Sequence, residues 1–208
     1  MTNQPESIVT IIDDDDALRD AMTVLVTAAG WRAETYASAE EFLAALHVDR
    51  AGCALIDVRL PGMDGMELFR RLGELAPGFP VVILTGHGDV PMAVEALKAG
   101  AVDFIEKPFD PDRLLTSLRQ ALSRDAILRE TKMAIEEFKT LVDKLTPREH
   151  EVMEFMVVGQ SNKMIAAKLG ISPRTVEIYR ARVMEKMQVR SLAELVRLTL
   201  HAHDRDAV

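Results

Sequence analysis

At 208 residues, 48% of them apolar, the chain can bury one substantial core or two small ones, and its length slightly favours two. No apolar run approaches the roughly 18 residues of a membrane span, and residues 1–7 show no charged-then-apolar leader, so a soluble cytoplasmic protein with no membrane partner is expected. The net charge of −8 argues against nucleic acid only until the chain is divided, since residues 1–125 hold 11 Lys and Arg against 21 Asp and Glu, whereas residues 126–208 hold 14 against 12.

The first half alternates short β-branched runs with amphipathic stretches. Residues 8–12, 33–36, 54–58, 81–85 and 103–106 read as five strands. Helical spacing follows them, as in Leu18, Met22, Leu25 and Val26, and in Val94 and Leu97 behind Pro91 in a first turn. Strand–helix alternation implies an α/β fold with a mostly parallel sheet, whose functional groups gather at the carboxyl ends of the strands. The lone Cys53 sits in an apolar stretch and reads as a small buried residue.

After Pro111 the pattern becomes helical throughout, with Leu114, Leu118, Ala121 and Leu122 as one stripe. From Leu128 a three-four spacing continues through Thr131, Ile135, Phe138, Val142 and Leu145. This linker helix either packs on its own domain or pairs with a second chain. Thr146-Pro147-Arg148-Glu149 is a capping box opening a helix to about Val158. Gly159 stops it, Ser161 caps a short helix through Leu169, Gly170-Ile171 turns, and Ser172 caps a longer third helix. Residues 192–200 supply a fourth, and the chain from His201 onward reads as a frayed tail. His201 and His203, two apart, point to different faces and make no metal site; methionines such as Met153, Met156, Met184 and Met187 fall at core positions.

Two groups of residues carry chemistry. Asp13 to Asp16 follow the first strand and Asp57 ends the third. Carboxylates that converge at one sheet edge repel unless a divalent cation neutralises them, and oxygen donors favour Mg²⁺ or Mn²⁺. Thr85 and Lys107 end the next two strands with a hydroxyl and an ammonium suited to phosphoryl oxygens. Asp15 and Asp16 also fit a helix amino terminus, favoured there by the dipole. In the second half, residues 172–190 carry five cations against two anions. The third helix sets Arg174, Thr175, Tyr179, Arg180, Arg182 and Lys186 beside an apolar stripe of Val176, Val183 and Met187, leaving cations free for a major groove. Glu177 on that helix would pair with an arginine or accept from a cytosine amino group.

Ile12-Asp13-Asp14-Asp15, Asp57-Val58-Arg59-Leu60-Pro61-Gly62-Met63-Asp64-Gly65, Thr85-Gly86-His87-Gly88-Asp89 and Lys107-Pro108-Phe109 resemble a receiver domain. With Leu145-Thr146-Pro147-Arg148-Glu149, Ser161-Asn162-Lys163 and Ser172-Pro173-Arg174-Thr175-Val176-Glu177, the whole chain resembles the FixJ subfamily of response regulators. The resemblance implies a flavodoxin-like five-stranded parallel receiver over residues 5–124, a helical linker over 125–143 and a four-helix LuxR-type helix-turn-helix domain over 144–208. It implies a stoichiometric phosphoacceptor rather than a turnover enzyme. Asp57 would take a phosphoryl group from a sensor histidine kinase. Asp14, Asp57 and the Arg59 carbonyl would ligate Mg²⁺, with Asp13 holding metal-bound water. Thr85 and Lys107 would contact the phosphoryl oxygens, and Phe104 would turn inward as Thr85 moves. A face including Val94, Lys98 and Phe104 would form a homodimer on phosphorylation. Promoter DNA would meet Asn162, Lys163 and the third helix, with RNA polymerase a further partner. Tyr179 and Arg182 depart from residues common in the family, so promoter preference does not carry over.

Two rivals stand beside this reading. An aspartate-nucleophile phosphohydrolase needs an acid two residues after the nucleophile, where this chain has Arg59. Alternatively, the helical half is a protein-interaction module, which predicts no salt-sensitive DNA binding.

Overall fold

The structure is a computed structural model that describes residues 7–47, 50–86 and 90–203, with side chains through residue 199. The chain divides into two units, residues 1–129 and 130–208.

The first unit is a parallel sheet of β1 (Ile8–Ile12), β2 (Arg32–Tyr36), β3 (Gly52–Asp57), β4 (Val81–Thr85) and β5 (Asp103–Glu106), in the order β2-β1-β3-β4-β5. Between the strands run α1 (Asp16–Ala28), α2 (Ala39–Ala45), α3 (Gly65–Leu75) and α4 (Val90–Lys98), and α5 (Pro111–Val142) follows β5. Alternate residues of each central strand serve opposite faces. Val9, Ile11, Cys53, Leu55, Val82 and Leu84 pack with Met22 and Val26 of α1 and Leu114 and Leu118 of α5. Ile12, Ala54, Ile56, Val81 and Ile83 pack with Phe42, Leu68, Leu72 and Ala96 of α2, α3 and α4. Both faces are covered, so β3 and β4 are apolar along almost their whole length and buried throughout.

β3 starts at Gly52 and ends at Asp57, two residues before and one residue before the expected bounds. The apolar spacing of α4 faces outward, with Val94 43% and Leu97 47% exposed, and the helix is seated by Ala96. A three-four spacing shows that a helix has an apolar side but not what covers it.

The second unit contains the last part of α5 with α6 (Pro147–Val157), α7 (Asn162–Leu169), α8 (Pro173–Lys186) and α9 (Leu192–His203). Residues 125–143, the expected linker, fall partly in each unit. Asp125 is buried in the first, where its carboxylate accepts from Gly52 N at the start of β3 at 2.8 Å, while Phe138 and Leu141 are buried in the core of the second. The stripe from Phe138 to Leu145 therefore packs on its own unit, with Leu141 an unforeseen member; Leu128 is exposed. Met153, Met156 and Met187 are buried in this core as expected, and α9 continues through His203 rather than fraying at His201. Residues 204–208 lie outside the described residues, as do the side chains of His201 and His203.

Asp125→Ala leaves the buried Gly52 amide without its acceptor. We expect it to lower the stability of the first unit by about 1–3 kcal/mol, with Asp125→Asn closer to wild type, as read by urea unfolding.

Candidate metal centre and candidate nucleic-acid interface

The register of the sheet places the acidic pocket. β1 and β3 pair with Ile12 opposite Ile56, so Asp13 and Asp57 are the next residues of neighbouring strands. Thr85 follows Leu84, the partner of Asp57, and its carbonyl accepts from Lys107 N at 2.7 Å, which brings the residue after β5 to the same edge. Asp13 is 1% and Asp57 5% exposed, whereas Asp14 is exposed. Carboxylate oxygens of Asp13, Asp14 and Asp57 lie within 4.8 Å of one another. Lys107 Nζ donates to Asp13 Oδ2 at 2.7 Å and lies 3.0 Å from Asp57 Oδ1. The second contact is an ion pair without directed hydrogen-bond geometry, because Asp57 Oδ1 is buried and no hydrogen-bond donor among the described residues is aligned on it.

The charges do not balance, since one ammonium faces three carboxylates. Burial pushes the Asp57 carboxyl above its ordinary range; Lys107 pulls it down, and Asp13 and Asp14 push it further up. Burial also works against the Lys107 ammonium, but its contacts with Asp13 and Asp57 outweigh that and hold it above its ordinary value. Three carboxylates around one ammonium, with the buried Asp57 Oδ1 ion-paired but not hydrogen-bonded among the described residues, fit a divalent cation such as Mg²⁺.

The remaining acids of the run have separate tasks. Asp15 caps α1, accepting from Ala17 N at 2.9 Å and Leu18 N at 3.2 Å, and Asp16 pairs with Arg19. Arg19 also donates to the Asp13 carbonyl at 2.5 Å, bracing the backbone of the pocket. Sequence reasoning missed this brace, although a cation one turn inside a helix that follows an acidic run is a visible signal. The loop after Asp57 has its own support: Glu40 of α2 accepts from Met63 N at 2.9 Å across 23 residues, which no local pattern shows. α3 starts against β3 so closely that a Cβ on Gly65 would stand 2.0 Å from the Asp57 carbonyl oxygen, so only glycine fits. Arg59 is exposed, and Phe104 of β5 is half-buried beside the cluster that holds Ile83 and Ala96. His87, Gly88 and Asp89 of the Thr85 motif lie outside the described residues.

In the second unit, caps fix the helix-turn-helix. Thr146 and Glu149 form the expected capping box of α6, and Ser161 accepts from Met164 N to cap α7. Gly170 ends α7 at φ +67°, a left-handed turn. Arg148 reaches from α6 to the Leu169 carbonyl at 2.5 Å and closes that turn. Ser172 Oγ accepts from Thr175 N at 3.1 Å and bonds the Thr175 hydroxyl at 2.8 Å, so Thr175 serves the cap of α8.

α8 turns Val176 and Val183 inward, as does Met187 just past its end, as the spacing predicts, and Tyr179 packs half-buried on the same core. Its exposed face carries Arg174, Glu177, Ile178, Ala181, Arg182 and Glu185, with Arg180 half-buried. Asn162 is half-buried and Lys163 exposed at the start of α7. Two residues differ from expectation. Lys186 does not stand among the free cations, because its ammonium donates to Glu149 Oε2 at 2.6 Å and to the Lys144 carbonyl at 3.0 Å. Ile178, 51% exposed, lies between Arg174 and Arg182 on the face that sequence reading gave to polar residues alone.

Known proteins share both parts of this arrangement. The response regulator receiver domain family matches residues 9–119, and the luxR family of bacterial regulatory proteins matches residues 143–199. The transcriptional regulatory protein FixJ of Bradyrhizobium diazoefficiens is 47% identical over 192 residues, covering 92% of this chain and 94% of that protein. Among solved structures, the response regulator StyR is similar with a TM-score of 0.84 at 39% identity, over 93% of this chain and 98% of its own. Full-length FixJ from B. japonicum is similar with a TM-score of 0.57 at 45% identity, over 96% of this chain and 98% of its own.

Cation binding to the acidic pocket predicts a shift in stability. At Mg²⁺ one hundredfold above its dissociation constant the wild-type protein gains about 2.7 kcal/mol over the EDTA-treated form, and Asp57→Asn loses most of that gain. Thermal melts with and without Mg²⁺ check it; coincident wild-type melts would rule the cation out.

Proposed function

The chain belongs to the FixJ subfamily of response regulators, in which a receiver domain is joined to a LuxR-type DNA-binding domain, and on that premise we propose how its own residues perform phosphorylation-dependent control of transcription. The observation that carries the proposal is the buried, undersatisfied Asp57 carboxylate facing Lys107 at the carboxyl edge of the sheet. An Asp57 oxygen attacks the phosphorus of a phosphohistidine on the kinase, the P–N bond breaks with its electron pair left on the imidazole, and an aspartyl phosphate forms. Asp14, Asp57 and the Arg59 carbonyl would hold Mg²⁺, and Asp13 would hold metal-bound water. When bound, that ion screens the repulsion between the incoming phosphate and the carboxylates. Lys107, 3.0 Å from Asp57 Oδ1, is in reach of the new phosphoryl oxygens, and the Thr85 hydroxyl comes from the adjoining strand end.

Arg59 stands two residues beyond Asp57, where a phosphohydrolase of this chemistry has its acid and base. Being always protonated, it cannot move a proton. The phosphoryl group therefore stays as a signal instead of turning over. It adds about −1.5 to −2 charges, enough to draw Thr85 and let Phe104 turn inward. α4 lies beside that switch with Val90, Val94 and Leu97 exposed at 76%, 43% and 47%, an apolar strip that favours receiver pairing on phosphorylation. In the second unit α8 enters the major groove, with Arg174, Arg180 and Arg182 toward phosphates and base edges, Asn162 and Lys163 at the flanking backbone, and RNA polymerase a further contact.

Beryllofluoride with Mg²⁺ imitates the aspartyl phosphate. With it we expect wild type to elute as a dimer and to bind its DNA at least about tenfold more tightly, which is about 1.4 kcal/mol; Asp57→Asn responds in neither assay. Gel filtration and electrophoretic mobility shift measure the two effects, and an unresponsive wild type would overturn the switch. The DNA reading has a separate check. Exchanging Arg174 and Arg182 together for Ala removes two phosphate-reaching cations, so the slope of log K against log salt becomes shallower by about 1.8 per bound copy if both contact phosphate.

A further inference from the structure

Three segments of the second unit meet on one carboxylate oxygen. Glu149, in the first turn of α6, is 2% exposed, and its Oε2 accepts from Thr146 N at 2.9 Å and from Lys186 Nζ at 2.6 Å. The same ammonium donates to the Lys144 carbonyl at 3.0 Å. Lys144 and Thr146 lie in the turn by which the chain leaves α5 and enters α6, and Lys186 is the last residue of α8. The Lys186 hydrogen bond, followed by that of the Thr146 backbone, holds the Glu149 carboxyl below its ordinary range.

We propose that Glu149 and Lys186 are positioning residues for DNA binding: they clamp the carboxyl end of α8 to the α5–α6 turn and so set the angle at which the helix presents Arg174, Ile178 and Arg182. The proposal rests on the DNA-binding reading above and reassigns Lys186 from phosphate contact to clamp. The exposed face of α8 sets Arg174 and Arg182 against Glu177 and Glu185. Attraction to the DNA backbone is then weak, and recognition depends on where the side chains point. A helix of 14 residues is about 21 Å long at 1.5 Å per residue, so a tilt of about 10° at its carboxyl end moves its amino end by about 3.6 Å. That exceeds the spread of distances that a hydrogen bond to a base edge tolerates.

Glu149→Gln and Lys186→Met, made in the full-length chain, test this. The amide oxygen of Gln still accepts from Thr146 N, so the capping box can persist while the charge is lost. The probes are a duplex that the wild-type chain enriches from a random-sequence pool and a scrambled duplex of the same composition. Each variant is expected to weaken binding to the enriched duplex at least about tenfold and to the scrambled duplex less than about threefold, because a misaimed helix loses base contacts before backbone contacts. The double variant should be no weaker than the weaker single one, as for two members of one unit.

The phosphate-contact alternative makes the opposite forecast. Lys186→Met would weaken both duplexes equally with a salt slope shallower by about 0.9, and Glu149→Gln would leave binding unchanged or tighter; that outcome overturns the proposal. Equal loss on both duplexes in proportion to the unfolded fraction seen by circular dichroism overturns it as well, since a merely structural role does not change selectivity. Should Glu149→Gln melt below the assay temperature, Lys186→Met alone decides through its selectivity and salt slope. Wild type enriching no duplex would sink the DNA-binding reading itself, and the clamp with it, a result distinct from a selective wild type with selective variants.

Discussion

Like charges brought together where water cannot fully separate them are the constraint on which the first unit depends. A parallel sheet sends every strand's carboxyl end to one edge, so residues that follow β1 and β3 become neighbours whatever their distance in sequence. Two unit charges 4 Å apart cost on the order of 4 kcal/mol at an effective dielectric of 20, and this edge collects three carboxylates around one ammonium. The apolar strands behind them cannot yield, because β3 is buried from Gly52 to Asp57 and packed on both faces. The pocket is therefore rigidly anionic, and an ion or a phosphoryl group changes its energy without rebuilding the sheet.

The second unit solves a different problem by different means. Among the described residues it gathers no cluster of three or more metal-binding acids; its helices are short, and isolated helices of 8 to 14 residues are marginal on their own. Side-chain caps at Thr146, Ser161 and Ser172 and the left-handed Gly170 set where each helix starts and stops. Packing of Val152, Ile165, Val176 and Val183 then fixes which side faces inward. Where the first unit gathers carboxylates around Lys107, the second joins Glu149 of α6 to Lys186 at the end of α8 in a single ion pair.

Interactions local in sequence were the readable ones. The five strands, the capping box and the stripe of Val176, Val183 and Met187 all follow from patterns within a dozen residues, and the convergence of Asp13, Asp57, Thr85 and Lys107 follows from the topology those patterns imply. Contacts between distant segments left no local trace. Glu40 with Met63, Asp125 with Gly52 and Lys186 with Lys144 join residues 23, 73 and 42 positions apart. Lys186 shows the cost of composition alone: a cation on a basic helix resembles any other until its partner is placed. Val94 and Leu97 show the converse, an apolar spacing that faces outward because the small Ala96 seats α4 on the sheet.

Charge distribution gives the two-part design its logic. Residues 1–125 carry ten more acids than bases, and that half is repelled by DNA at any distance within a Debye length, about 8 Å in physiological salt. Residues 126–208 carry only two more bases than acids, and the exposed face of α8 is balanced between Arg174 and Arg182 on one side and Glu177 and Glu185 on the other. A single copy thus offers DNA little net electrostatic attraction. Linking a second copy makes the second contact intramolecular and multiplies affinity by a local concentration, with no new contact to DNA required. The proposed pairing of receivers would then act on occupancy through valency, because the charge of one DNA-binding unit is nearly balanced.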